Sequence, residues 1–313
     1  MKVKTAYKIY HTFGFTIRSE MMFPELVIPD SKTKRDQIGE ISVEEADLSK
    51  RWSELAGTNQ SFIASGNSVL FRVPNTAVFC VEDGKRILYS PFIGVDENKL
   101  RLYILGSCMG ILLMQRKILP LHGSVIKMNG KAIAIIGESG AGKSTLASAF
   151  IRYGYKLLTD DVIAVSFSNE NLPMVTASYP QQKLWEESLN QFGMNVSQYR
   201  PLFERETKYA VPVRSNFYSE PLPLAGVFEL IKTDKDQIGI QPINKLERLR
   251  TLYTHTYRNF LIPKLGLMNW HFQTAANLSN QIEMYQLQRP LTGFTAPQLV
   301  DLVLNTIKEE AKG

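Results

Sequence analysis

Over the first hundred positions the apolar residues fall in short runs, at 8–10, 13–17, 62–63, 69–73, 78–81 and 87–89, separated by turn formers such as Ser65-Gly66-Asn67, Pro74-Asn75 and Asp83-Gly84. Runs of that length bounded by Gly, Pro, Asn and Asp read as strands, and Glu82-Asp83-Gly84-Lys85 between two of them reads as a hairpin. The stretch 30–50 is polar and charged, which predicts a solvated loop with Ser42 or Ser49 capping a short helical turn. From residue 98 the period changes. Leu100, Ile104, Leu105, Cys108, Ile111, Leu112 and Gln115 follow the spacing of a strongly buried helix that Pro120 closes. That change puts a domain boundary near residue 96, between a small β-rich domain, 1–96, and a second domain, 97–313.

The second domain alternates between the two periods. Runs at 122–128 and 131–136 flank Asn129-Gly130, a strong hairpin cue, and lead to a helix over 144–153 ended by Gly154. Strand-like runs lie on either side of Asp160-Asp161. Residues 180–200 are helix-like, 227–231 and 238–240 strand-like, 245–260 and 265–278 helical, 281–287 strand-like, and 297–312 a terminal helix. This order predicts an α/β fold with a mixed sheet.

One segment carries chemistry by itself. Gly137-Glu138-Ser139-Gly140-Ala141-Gly142-Lys143-Ser144 matches G-x-x-x-x-G-K-[ST] in full, after an apolar strand and at the start of a helix. Glycines let such a loop curl with its N–H groups inward, so that together with the positive helix end they cradle phosphate oxygens. Lys143 reaches the β- and γ-phosphates in this arrangement, and Ser144 offers a hydroxyl to Mg²⁺, a hard cation that keeps oxygen ligands. Asp160 and Asp161 follow 17 and 18 residues after Lys143, room for one helix and a returning strand. One carboxylate is expected to orient Mg²⁺ or its waters while the other accepts the proton of an attacking hydroxyl. His122 opens the strand one hairpin before the loop and is a further candidate. The run 137–141 also resembles the nucleophile elbow G-x-S-x-G, but Ala141 stands where that turn needs its last glycine.

Composition narrows the class. Hydrophobic residues make up 44% and charged residues 21%, ordinary globular usage that excludes a wholly disordered chain. The longest apolar run, 104–114, is 11 residues, against about 20 for a bilayer span. The N-terminal segment has lysines but no uninterrupted apolar stretch, so neither a signal peptide nor a membrane partner is expected and cytoplasm is the default compartment. The net charge of +6 suits an anionic ligand, yet the basic residues are scattered, without the basic and aromatic clustering of a nucleic-acid surface. Two cysteines, Cys80 and Cys108, predict no disulfide.

The segment from His122 to Asp161, with Leu121-His122-Gly123-Ser124-Val125, the phosphate loop and Gly154-Tyr155-Lys156-Leu157-Leu158-Thr159-Asp160-Asp161, resembles the catalytic core of HPr kinase/phosphorylase, which is shared with phosphoenolpyruvate carboxykinase. The resemblance implies ATP, Mg²⁺ and a protein serine as acceptor, with the acidic pair as base and metal contact and the histidine near the transferred phosphate. The HPr enzymes carry an acidic residue after the loop serine, where this chain has Thr145, and no E-x-R-G-x-G signature lies downstream. The resemblance therefore implies the chemistry without implying HPr as acceptor or reverse phosphorolysis. A wider likeness, through Phe13-Gly14-Phe15, Ser19-Glu20, Pro24-Glu25-Leu26, Leu105-Gly106-Ser107, Tyr179-Pro180, Leu184-Trp185, Tyr257-Arg258 and Arg289-Pro290, is to kinases associated with ribosomal peptide clusters. Some of these tailor lasso peptides at the C-terminal serine of the precursor.

The expectation is thus an ATP/Mg²⁺-dependent serine kinase acting on a peptide, in particular a lasso-type precursor, with homo-oligomers allowed. Its site would comprise the loop from Gly137 to Thr145, Asp160, Asp161, His122 and Arg258, with Ser144 and the two aspartates toward the metal. Lys183, Lys208, Arg214 and Arg289 are further candidate cations. Trp185, Tyr199, Trp270 and Phe272 are candidates either to stack the base or to pack the core. Kinases of an HPr-like protein, of free serine or of another small hydroxyl compound, and a non-catalytic nucleotide-binding regulator, are the alternatives. For the N-terminal domain, peptide docking and a cover for the kinase sheet stand equally.

Overall fold

The computed structural model describes residues 7–28, 39–55, 61–202 and 205–310. The described chain divides into two compact units, 1–120 with 258–270, and 121–257 with 271–313.

The first unit is built on a seven-stranded sheet of order β1-β2-β3-β7-β6-β5-β4. Its strands are β1 (Lys8–Thr12), β2 (Phe15–Ser19), β3 (Gly39–Glu45), β4 (Phe62–Ser65), β5 (Ser68–Val73), β6 (Ala77–Glu82) and β7 (Arg86–Pro91), with helix α1 (Ser49–Leu55) between β3 and β4. Six of these coincide with the apolar runs. β3 does not, and it replaces part of the loop expected over 30–50, whose residues 30–38 lie outside the described residues. Ile41 and Val43 are its buried pair. With only two apolar positions, the strand is set by parallel ladders to β2 and β7 on either side rather than by its own pattern.

The apolar run after residue 96 forms α2 (Glu97–Tyr103), a π-helical turn (Ile104–Cys108) and α3 (Met109–Gln115). These elements belong to the first unit, so the compact division lies at 120/121 and not near 96. Side chains explain this. Tyr103 packs on Phe79 of β6 at 5.7 Å, while Gln115 Oε1 accepts from the Gly84 amide at 2.9 Å and Arg116 Nε donates to the Gly84 carbonyl at 2.7 Å. The period changes at 96, but the helix is pinned to the β6–β7 hairpin. Cys80 and Cys108 are buried free thiols.

The second unit is the α/β one, with a mixed seven-stranded sheet of order β11-β10-β8-β9-β15-β17-β16. Along the chain come β8 (Leu119–Met128), β9 (Lys131–Ile136), α4 (Lys143–Arg152), β10 (Lys156–Phe167), β11 (Pro173–Thr176), β12 (Gln181–Trp185), α5 (Glu186–Gln191), β13 (Arg200–Leu202), β14 (Arg205–Pro212), β15 (Leu222–Thr233), β16 (Gly239–Pro242) and α6 (Lys245–Thr254). After α7 (Leu261–Lys264), which belongs to the first unit, follow α8 (Met268–Gln281), β17 (Glu283–Pro290) and α9 (Ala296–Glu310). β9, β15 and β17 run parallel and β8 antiparallel to β9. β9 reads Ala-Ile-Ala-Ile-Ile after its first residue, all buried, as a strand covered on both faces requires. On one face α4 and α9 close a core of Leu146, Phe150, Phe228, Leu230, Leu299 and Val303. Asn129 and Gly130 both take positive φ, 48° and 76°, the geometry of a two-residue hairpin.

The expected helix over 180–200 is largely absent. Residues 181–185 are instead β12, which joins β14 and β13 in a separate three-stranded sheet of order β12-β14-β13. Only 186–191 is α-helical. Among the described residues no helix is long and apolar enough to cross a membrane.

Candidate active site

The phosphate loop lies between β9 and α4. Gly137 has φ +150°, and a Cβ there would stand 2.4 Å from the Leu230 carbonyl of β15. Only glycine passes so close to the neighbouring strand in that conformation. Lys143, the first residue of α4, is buried and folds back so that Nζ donates to the Gly137 and Glu138 carbonyls, each at 2.8 Å. Burial pushes its pKa down to about 8, against the pull of Asp160 and Asp161.

Asp160 meets the loop from β10. Its Oδ1 accepts from Ser144 Oγ at 3.0 Å and from Ser124 Oγ of β8 at 2.5 Å, and its Oδ2 accepts from the Lys183 amide of β12 at 2.8 Å. A buried carboxylate with three donors is fixed in orientation. Asp161 turns the other way because its φ is +82°, a positive value unusual for a residue with a side chain and placed in the middle of a strand. The Thr159 hydroxyl, donating to the Val162 carbonyl at 2.5 Å, spans the distortion.

Asp161 Oδ2 lies 2.5 Å from Lys183 Nζ, and the side chains keep only 17% and 9% exposure. Burial alone would raise the Asp161 pKa. The Lys183 ammonium, helped by His122, outweighs it and holds the carboxyl well below the usual carboxylate range, while Lys183 is raised in turn against its own burial. His122 Nδ1 lies 3.0 Å from the Asp161 carbonyl oxygen. Burial, with the Lys143 charge adding to it, pushes the His122 pKa down to about 4, so the ring is neutral near pH 7 although Asp161 pulls the other way. A carbonyl only accepts, so the ring proton sits on Nδ1 and Nε2 presents a lone pair.

These groups line one cavity, bounded by His122, Ser139, Gly140, Gly142, Lys143, Ser144, Thr145, Asp160, Asp161, Lys183, Trp185 and Lys208. The expected loop, aspartates and histidine are therefore brought together. Arg258 is not among the lining residues. It belongs to the first unit, where Nη2 donates to Ser107 Oγ at 2.9 Å and the guanidinium lies over Phe62. Arg289 supports the loop from behind, its Nε donating to the Ala141 carbonyl at 2.8 Å. Arg214 opens a short 3-10 turn outside the cavity, Tyr199 packs beside Leu184 and Leu189, and Phe272 is exposed. Trp185, a candidate from the sequence, lines the cavity, whereas Ser124, whose hydroxyl holds Asp160, is a residue that sequence reasoning left out of the site. Ser124 is two positions beyond His122, so strand periodicity puts it on the same face.

Ser144 Oγ and the Asp160 carboxylate form a hard-oxygen pair that fits Mg²⁺. Among the described residues no group of three or more His, Cys, Asp or Glu could hold a metal alone, so the cation would take its remaining ligands from phosphates and water.

Known proteins resemble this segment of the chain. Residues 115–188 match the HPr Serine kinase C-terminal domain. The match to this kinase domain includes His122, the loop, both aspartates and Lys183, and ends before Lys208. The HPr kinase/phosphorylase of Mycoplasmopsis pulmonis is 36% identical over 70 residues, 22% of this chain and 23% of its own length. That of Clostridium botulinum (strain Eklund 17B / Type B) is 42% identical over 52 residues, 17% of each. The chain thus aligns with about a fifth of the length of these curated relatives. The structure of the Hpr(Ser) kinase/phosphatase from Coxiella burnetii aligns with 62% of this chain and 99% of its own at 14% identity, with a TM-score of 0.34.

Proposed function

We propose that this protein is an ATP/Mg²⁺-dependent serine kinase that transfers the γ-phosphate to a serine hydroxyl of a peptide. The observation that carries the reading is the meeting of Asp160 with Ser144 at 3.0 Å in the cavity where Asp161 faces His122 and Lys183. Two carboxylates at a phosphate loop, one directed at the metal hydroxyl and one away from it, suit phosphoryl transfer better than binding alone. Residues 115–188, the part of the chain similar to HPr kinases, contain both carboxylates.

The roles then divide. The loop amides and Lys143 hold the β- and γ-phosphates, releasing Lys143 from the Gly137 and Glu138 carbonyls. Mg²⁺, held by Ser144 and Asp160, would neutralise charge on those phosphates. Asp161, kept ionised by Lys183, accepts the serine proton as its oxygen attacks phosphorus and the bond from the γ-phosphorus to the bridging oxygen breaks, leaving ADP. Neutral His122 orients Asp161 through its carbonyl. Gly142 and Thr145 also border a second cavity lined by Glu187, Arg289, Thr292 and Phe294, which suits the nucleoside end of ATP.

Among acceptors, the C-terminal serine of a lasso-type precursor is favoured by the likeness of Leu184-Trp185 and its companion segments to peptide-tailoring kinases. Intact mass spectrometry of a candidate precursor with ATP and Mg²⁺, beside the same peptide ending in alanine, tests this. A one-phosphate gain on the serine peptide alone supports it. Phosphorylation of free serine instead moves the acceptor to a small molecule, and ATP binding without transfer to any acceptor leaves a nucleotide-binding regulator.

A further inference from the structure

The cavity holds three ammonium groups, and the reading above uses two of them. Lys143 serves the phosphates and Lys183 is matched by Asp161 at 2.5 Å. The third, Lys208, comes from β14 of the small sheet, where it is the cross-strand partner of Trp185 with Nζ 5.4 Å from the indole ring. Both side chains line the cavity. The field of Lys208 reaches His122, Lys143 and Asp161. The pair thus forms a wall with one cation and one large apolar ring.

Which end of the reaction this wall serves follows from in-line displacement, in which attacking and leaving oxygens lie on opposite sides of phosphorus. Gly142 and Thr145 continue into the cavity of Glu187, Arg289 and Phe294, so the leaving diphosphate points that way. His122, Asp161, Trp185 and Lys208 do not border that second cavity. They therefore face the attacking hydroxyl.

An acceptor with a carboxylate beside its hydroxyl would have to enter next to ionised Asp161 and the γ-phosphate, both anionic. A neutral amide meets no such repulsion. A cation on this wall reverses the preference, because a charge-assisted hydrogen bond in a partly dry cavity outweighs what remains of the repulsion. We infer that Lys208 receives the carboxylate of the acceptor serine, with Trp185 packing against the residue before it, so that the site selects a serine at a free C-terminus. This rests on the peptide-kinase reading and adds to it the residue that makes the acceptor terminal.

The test compares one peptide ending in serine as the free acid and as the C-terminal amide, measuring phosphorylation rate and, without nucleotide, binding of the N-terminally labelled peptide by anisotropy. In the wild type the acid is expected to be preferred by about 10- to 100-fold, the range for a hydrogen bond to a charged group. In Lys208→Gln the acid-to-amide ratio should collapse to about one, and in Lys208→Arg it should persist. Added salt should lower the wild-type ratio, which tests the inference even if a variant does not fold. A wild type that phosphorylates acid and amide equally overturns the inference, as does a Lys208→Gln ratio equal to the wild-type one, which would place Lys208 on the phosphoryl group instead. If the acid is preferred in binding through Lys208 but neither peptide gains phosphate, the kinase reading fails while the carboxylate site stands.

Discussion

Residues 137–145 hold their functional groups in one unbroken stretch of chain, whereas the wall facing them draws His122 from β8, Asp161 from β10, Lys183 from β12 and Lys208 from β14. The loop depends on backbone geometry, since a Cβ at Gly137 would stand 2.4 Å from the Leu230 carbonyl, inside the 3.0 Å that real Cβ atoms keep. The wall depends on charges held against burial. On the proposed reading two kinds of failure should follow, a loop change disturbing nucleotide binding and a wall change disturbing transfer.

The largest effect should separate the two regions outright. Asp161→Asn removes the proposed base and is expected to lower single-turnover transfer by about 10²- to 10⁴-fold, with nucleotide affinity measured by calorimetry changed far less than by Lys143→Ala. Equal loss of affinity and turnover in both variants would erase the distinction between loop and wall.

A stability measurement sharpens it next. Lys183→Met leaves the largely buried Asp161 carboxylate without its 2.5 Å partner, and such a break costs about 3 kcal/mol or more. Adding Asp161→Asn to Lys183→Met should restore much of that loss in denaturant melts, because the uncompensated charge is gone. On the loop side, Gly137→Ala forces a methyl against the Leu230 carbonyl in a strained conformation and should cost about 1–3 kcal/mol. Unlike the Lys183 variant, it should not be rescued at Asp161.

The same contrast explains what could be read from the chain. The loop was legible because its whole motif, from Gly137 to Ser144, falls within eight consecutive residues. The aspartates and His122 were reached by counting one helix and one hairpin from it. Residues 181–185 were not, because they lie in the stretch 180–200 that reads as helix-like, while the strand is imposed by β14, whose paired residues lie 23 to 31 positions further on. Consecutive burial of Gln182, Lys183 and Leu184 arises from contacts on both faces, Gln182 Oε1 accepting from Ser148 of α4 at 2.8 Å and Lys183 reaching Asp161. β3 was hidden for the same reason, its ladders being supplied by strands distant in sequence. The assignment of the apolar segment 97–115 to the first unit likewise depends on Gln115 and Arg116 reaching the β6–β7 hairpin, which no local pattern encodes.

The smallest effect concerns the proton on His122. Because burial and Lys143 depress its pKa to about 4, an NMR titration should show this ring unchanged from pH 8 to about 5 and protonating only below that. The folded value lies below the unfolded one of about 6.5, so the ring favours the folded state fully above pH 6.5, and that contribution falls as the pH drops toward 4. Asp161→Asn should move the midpoint lower still, since the carboxylate is the group that favours the charged ring, whereas Lys143→Ala should move it up. A His122 midpoint near 6.5 in the wild type, or one indifferent to both substitutions, would mean that the wall and the loop are not electrostatically joined across the cavity, and the neutral, Nδ1-protonated ring that orients Asp161 would have to be abandoned.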